Sequence, residues 1–196
     1  MRDIMNIVQD LFEMPEMTGD EDFGLSSPKM NRELTVNFLK DKHTVKVGEI
    51  RGHNLYKQNN RFALIDETLK NDPRTVYYMK YEVNHINMLN SDAAQQIAVW
   101  RERGTIAIGV ASDMFFNFLL PMTGCIVTDL FQTSYGKRFW GDRISDAFQR
   151  GLKVLYINTT NKSITQVDNM EELDALEDEI WGDGEQYQHR RVVIMK

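Results

Sequence analysis

Asp129-Leu-Phe-Gln-Thr-Ser-Tyr-Gly-Lys-Arg-Phe-Trp140 is the stretch on which a reading of this chain turns. It follows Cys125-Ile-Val-Thr128, a short apolar run suited to a buried strand. It opens into a segment where Tyr135, Phe139, Trp140, Ile144, Ala147 and Phe148 recur at helical spacing. Lys137, Arg138, Asp142, Arg143, Asp146, Gln149 and Arg150 fall mostly elsewhere on the wheel, and Gly151 supplies a stop. The spacing predicts a helix over 134–150, followed by a strand over Leu152-Lys-Val-Leu-Tyr-Ile157.

The first turn of such a helix carries unsatisfied N–H groups and the positive end of the helix dipole, which together suit a phosphate. Gly136 lets backbone come close to a ligand, and Lys137 and Arg138 add positive charge. The same residues also suit a plain cap, with Gln132 and Thr133 closing the turn and the basic pair solvated.

On the N-terminal side, Leu34, Val36 and Phe38 alternate with Thr35 and Asn37, and Val45 and Val47 alternate before Gly48. Phe62–Ile65 and Thr75–Val83 are rich in aromatic and β-branched residues. With turns at 41–43, 58–60 and 71–73, this pattern predicts an antiparallel meander from about 33 to 84. Ser91–Arg103 reads as a helix capped by Ser91, and Thr105–Ala111 as a buried strand. Phe115–Leu120 reads as a short helix ended by Pro121, Met170–Trp181 as an acidic helix, and 191–195 as a final strand. Ile4, Ile7, Val8, Leu11 and Phe12 predict an amphipathic N-terminal helix. The expected division is a helix and acidic arm over 1–31 and an α/β (α+β) domain over 32–196.

The chain has 196 residues and a net charge of −6, with acid concentrated at 10–22 and 168–185. That balance disfavours bulk binding of nucleic acid. Cys125 is the sole cysteine, so no intrachain disulfide forms, which fits a reducing, cytoplasmic compartment. Met1–Met14 lacks the long apolar core of a secretory leader, and Met114–Met122 is too short to span a bilayer. His43, His53, His85 and His189 have no metal-ligand spacing, so no metal site is expected. Glu49, Glu82, Asp113 and Asp129 are candidate bases for a reaction that must remove a proton.

The order of antiparallel strands, a strand, a Gln132-x-x-x-Gly136 loop, a helix and a strand ending near Asn158 resembles the GCN5-related N-acetyltransferase (GNAT) family. Asp129, Gln132, Thr133, Gly136, Lys137 and Trp140, followed by Gly151 and Val154-Leu-Tyr156, are similar to small bacteriophage-encoded members. The resemblance covers about residues 34–165 and implies a mixed, mostly antiparallel central sheet flanked by helices. It implies that Gln132, Thr133, Tyr135, Gly136, Lys137 and Arg138 hold the pyrophosphate of acetyl-CoA. Val127 and Thr128 then belong to a splayed strand that admits the pantetheine arm, and Asn158 contacts the cofactor. Tyr156, or a nearby tyrosine, is the implied general acid, and Asp129 a candidate base. The acceptor would be an amine on a small molecule, a protein or a nucleobase, in the host cytoplasm if a phage encodes the chain. The sequence departs from the family in placing Phe139 and Trp140 after Gly136, with no second small residue before Gly141. That departure and the acidic segments support a second reading, a non-catalytic module that docks on a host or virion partner through residues 1–31.

Overall fold

Leu34, Val36 and Phe38 alternate like a strand, yet the chain there is helical. The computed structural model describes residues 27–68, 72–102, 109–128, 134–181, 187 and 189–196. Helix α1, Pro28–Lys40, begins with Pro in its first turn. Asn31 and Thr35, four residues apart, form its buried face, while Met30 and Leu34 are exposed. The expected strand at 34–38 is therefore corrected to helix: the period that matters is 31/35, and its residues are polar. The helix expected over Ile4–Phe12 lies outside the described residues, and α1 starts inside the stretch assigned to the arm.

The chain divides into two compact units: the chain through Tyr81 with Ile97–Ala111, and Glu82–Gln96 with Ser112–Lys196. The fold is mixed α+β, with a large, mostly antiparallel sheet. In the first unit β1 (Val45–Ile50), β2 (His53–Gln58), β3 (Arg61–Asp66) and the first part of β4 (Arg74–Ile86) form the expected meander. Arg51 (φ 52°) and Gly52 (φ 81°) make the two-residue turn between β1 and β2, both in the left-handed conformation such turns demand. Strand β2 was not anticipated. β3 and the first part of β4 are mostly buried, with Phe62 stacked on Tyr81 at 5.6 Å. Ala63, Ile65, Tyr78 and Trp100 form a cluster packed by Phe38 and Leu39 of α1.

Ser91–Arg101 is a strand, β5, which corrects the expected helix at 91–103. Ala and Gln favour helix there, but Ala93, Ala94, Val99 and Trp100 are all buried in the strand, so tertiary packing overrides propensity. Asn90 at φ 47° completes the turn that leads into it. The expected strand at 105–111 is also corrected: 105–108 lie outside the described residues, and Val110–Asp113 forms helix α2. A π-helical segment, Met114–Leu119, continues α2 into α3, Leu120–Thr123. Pro121 does not end this run. It sits in the first turn of α3, and Gly124 (φ 73°) closes it by donating to the Leu120 carbonyl at 2.7 Å.

In the second unit the strand order is β5, β6 (Cys125–Val127), β9 (Arg190–Met195), β7 (Lys153–Asn158), β8 (Ser163–Val167). β5 and β6 are parallel, and the other described pairings of this unit are antiparallel. Helix α4, Ser134–Gln149, carries the expected stripe, with Phe139, Trp140, Ile144 and Ala147 buried. Phe115, Phe139 and Trp140 meet edge to face, with centroids 5.5 to 5.7 Å apart. The acidic helix is broken into α5 (Met170–Ala175) and α6 (Glu177–Ile180), and β8 was not anticipated. Among the described residues, no helix is long and apolar enough to cross a membrane.

Candidate functional site

Alternation along a strand puts Cys125 and Val127, Leu155 and Ile157, and Arg191 and Val193 on one face of the second unit. The apolar members join Ala93 in a buried cluster that Ile86, Met88 and Leu89 of the β4–β5 turn pack against. Beyond this cluster the face opens into a cleft of about 830 Å³ with Val127 and Ile157 among its lining residues. Its polar lining comes from Glu82 and Asn84 of β4, Gln95 of β5, Thr159 and Lys162 after β7, and His189 and Arg191 at the start of β9.

The backbone holds these groups in place. Ile157 pairs with Arg191, and Val127 with Val193. The Thr159 N–H donates to the His189 carbonyl at 2.8 Å, which ties the β7–β8 turn to the chain leading into β9. Lys162 sits in that turn with φ 57°. Arg191 Nη1 donates to Gln95 Oε1 at 3.4 Å. This bond joins β9 and β5, the strands on either side of β6.

The parallel ladder is short. It pairs Ala94 with Ile126 and Gln95 with Val127, and among the described residues it ends there, although β5 runs on to Arg101. Thr128 turns to β9 instead: its N–H donates to the Val192 carbonyl at 3.0 Å, and its Oγ1 accepts from the Val192 N–H at 3.1 Å. Gln95 and Val127, the last parallel pair among the described residues, both line the cleft.

The residues singled out by sequence are dispersed. Val127 is in the cleft, and Thr128 is committed to β9. Asp129, Gln132 and Thr133 lie outside the described residues, as does the side chain of Tyr135. Gly136, Lys137 and Arg138 lie in the first two turns of α4. Lys137 is ion-paired with Glu177, and both basic residues line an open groove with Asp142 and Asp174. Tyr156 is buried, and its hydroxyl donates to Glu179 at 3.4 Å. Burial, and then the negative charge of Glu179, push its pKa up. Asn158 Oδ1 accepts from the N–H groups of Thr160 and Asn161 at 3.0 and 3.4 Å, which shapes the turn after β7. Tyr156 and Asn158 alternate with Ile157 and so face away from the cleft.

Sequence reading named Glu82 but missed Gln95, Lys162 and Arg191. Arg191 had a usable signal, a cation two positions before the inward-facing Val193 of a strand. Arg143, placed on the polar side of the helix, is also buried. Its Nε lies 3.5 Å from Asp146 Oδ2, and that oxygen accepts from Ser112 Oγ at 2.6 Å. Arg143 Nε and Nη1 have no hydrogen-bond partner among the described residues. Cys125 is buried, and burial pushes its thiol pKa up to about 11, which makes it a poor nucleophile. No protein-family model, curated protein or solved structure matches this chain.

Proposed function

We propose that the chain is a GNAT-like N-acyltransferase that takes acetyl-CoA as donor and acts at the cleft of the second unit. The observation that carries this reading is the two-register parallel ladder ending at Gln95 and Val127 beside the cleft. In the family the sequence resembles, parallel strands that part in this way admit the pantetheine arm. The acceptor ammonium must first lose a proton, and Glu82 is the carboxylate among the described lining residues. The amine nitrogen then bonds to the thioester carbonyl carbon, the C–S bond breaks, and the proton that the nitrogen gives up, passed through water, is the one the departing thiolate takes. A phosphate needs cationic donors. Lys162 and Arg191 are the basic residues among the described lining of the cleft, whereas Lys137 is neutralised by Glu177.

The second reading, a non-catalytic docking module, is favoured by that same Lys137–Glu177 pair and by the commitment of Thr128 and Asn158 to backbone hydrogen bonds. Calorimetric titration with acetyl-CoA separates the two. The acyltransferase reading expects saturable binding that Gln95→Trp, at a half-buried position of the cleft lining, abolishes without loss of cooperative unfolding. Absence of heat at millimolar acetyl-CoA would leave the docking reading.

A further inference from the structure

We infer that the chain forms a two-fold dimer by antiparallel pairing of β8 with β8 of a second copy. The inference does not rest on the acyltransferase reading. β8 is the outermost strand of the second unit, with β7 as its one neighbour among the described residues. The phase of its hydrogen bonding follows from two bonds further in. The Thr128 N–H donates to the Val192 carbonyl and the Thr159 N–H to the His189 carbonyl, so Val192 faces β6 and His189 faces β7. Alternation then turns the backbone groups of Asn158, Tyr156 and Val154 toward Ser163, Thr165 and Val167. The N–H and C=O groups of Ile164 and Gln166 are left pointing out of the sheet. Ile164, Thr165 and Gln166 are all exposed, an apolar side chain among them.

Native sheets usually guard such an edge with charge, proline or a bulge. β1, the edge strand of the first unit, carries Lys46 and Glu49 and a register shift between Lys46 and Gly48. β8 has none of these guards. Its residues Ser163-Ile-Thr-Gln-Val167 are uncharged, include no proline and pair with β7 without a shift. The charge lies just outside, with Lys162 before the strand and Asp168 after it, both exposed. That arrangement is self-complementary. With Thr165 on the two-fold axis, Ile164 exchanges both backbone hydrogen bonds with Gln166 of the second copy, and Lys162 comes opposite Asp168 at each end. Sliding the pairing to put Ile164 or Gln166 on the axis sets Lys162 opposite Gln166 or Met170 instead, and both charge pairs are lost. Exposed ion pairs are worth little each, so they select the register, while the backbone bonds and the covering of Ile164 supply the association. The contact uses the β8 edge of both copies, so assembly through it stops at the dimer.

Sedimentation equilibrium of the full chain, from micromolar to millimolar concentration, is the test. One short strand makes a small interface, so the dimer is expected to appear only above about 10 μM. Gln166→Pro removes an outward N–H and spares the bonds to β7, so it should abolish the dimer and leave the unfolding midpoint at micromolar protein unchanged. Lys162→Asp and Asp168→Lys should each weaken self-association by about tenfold, because each sets like charges opposite one another at both ends. An equimolar mixture of these two variants restores both opposite-charge pairs in a mixed dimer and should recover the parental affinity. A chain still monomeric at millimolar concentration, a Gln166→Pro variant that dimerises like the parent, or a mixture that associates no better than its separate components would overturn the assignment. The charge-exchange mixture decides the matter if Gln166→Pro does not fold.

Discussion

Replacing Asn31 by Ala should cost the first unit about 2 kcal/mol, and the reason lies in one backbone position. A register shift opposite Leu64 and Ile65 bulges β4 at Val76, and Thr75 immediately precedes that bulge. The Asn31 side chain then acts as a surrogate strand: its amide donates to the Thr75 carbonyl at 3.0 Å, and its oxygen accepts from the Thr75 N–H at 2.9 Å. Thr35 Oγ1 offers the same N–H a second acceptor at 3.0 Å and lies 2.8 Å from Thr75 Oγ1. All three residues are buried, so water cannot replace a lost partner. Asn31→Ala strips the amide donor from the Thr75 carbonyl but leaves its N–H with Thr35, hence a penalty for one buried group of about 1–3 kcal/mol. Thr35→Val leaves the N–H with Asn31 and should cost about 1 kcal/mol. The double variant leaves that N–H with neither acceptor, so its loss should exceed the sum by about 1 kcal/mol. Hydrogen exchange measured residue by residue is the suitable assay, because it reports the first unit separately from the second. An Asn31→Ala loss below about 0.5 kcal/mol, or strict additivity in the cycle, would refute the surrogate-strand argument.

Two glycines give opposite and nearly pure backbone effects, since an added Cβ at either meets nothing within 4 Å. Gly141→Ala, inside α4, should raise stability by about 0.5–1 kcal/mol in urea denaturation, while Gly151→Ala, at φ 67°, should lower it by about 1 kcal/mol. Burial raises the Cys125 pKa from 9.0 to about 11, so the unfolded chain loses this proton first as pH rises. Stability should therefore be intact below pH 9 and decline between pH 9 and about 11; in Cys125→Ala, denaturation midpoints should lose that part of the decline. Asp146→Ala leaves the buried Arg143 cation without its ion-pair partner and should cost about 2–3 kcal/mol in thermal unfolding, whereas Arg143→Met should be close to neutral.

Local grammar was legible where a residue's own neighbours decided its state. The stripe from Phe139 to Ala147 and the Gly151 stop placed α4 within a residue of its ends. The β2–β3 turn at 58–60 was equally readable, with Asn59 left-handed where a hairpin demands it, whereas the β1–β2 turn at Arg51-Gly52 was missed. Errors fell where distant partners decided. Asn31 and Thr35 gain their value from Thr75, more than forty residues away, so no periodicity in 28–40 exposes the buried face of α1. Ala93–Ala98 carries helix propensity and becomes a strand because the chain beside it supplies a ladder and a core. The cleft was hidden for the same reason: Glu82, Gln95, Lys162 and Arg191 meet only once β6 and β9 lie side by side.

Among the described residues β6 ends against β9 with a side-chain acceptor, Thr128 Oγ1. An ordinary antiparallel pair would return the Val192 N–H to the backbone carbonyl of residue 128. Here the hydroxyl of Thr128 takes that N–H, so the carbonyl is released from the β9 ladder while the Thr128 N–H still holds Val192. No donor on β9 is orphaned at residue 192 by this exchange. Among the described residues Val127 and Gln95 are the last parallel pair, and both line the cleft. In sequence, Ile126-Val-Thr128 reads as three β-branched strand residues, and nothing local distinguishes a threonine that extends a ladder from one that ends it. The distinction is made by Val192 from the last strand of the chain. One side-chain oxygen standing in for a carbonyl therefore connects the end of a three-residue strand to the cleft proposed to bind the substrate.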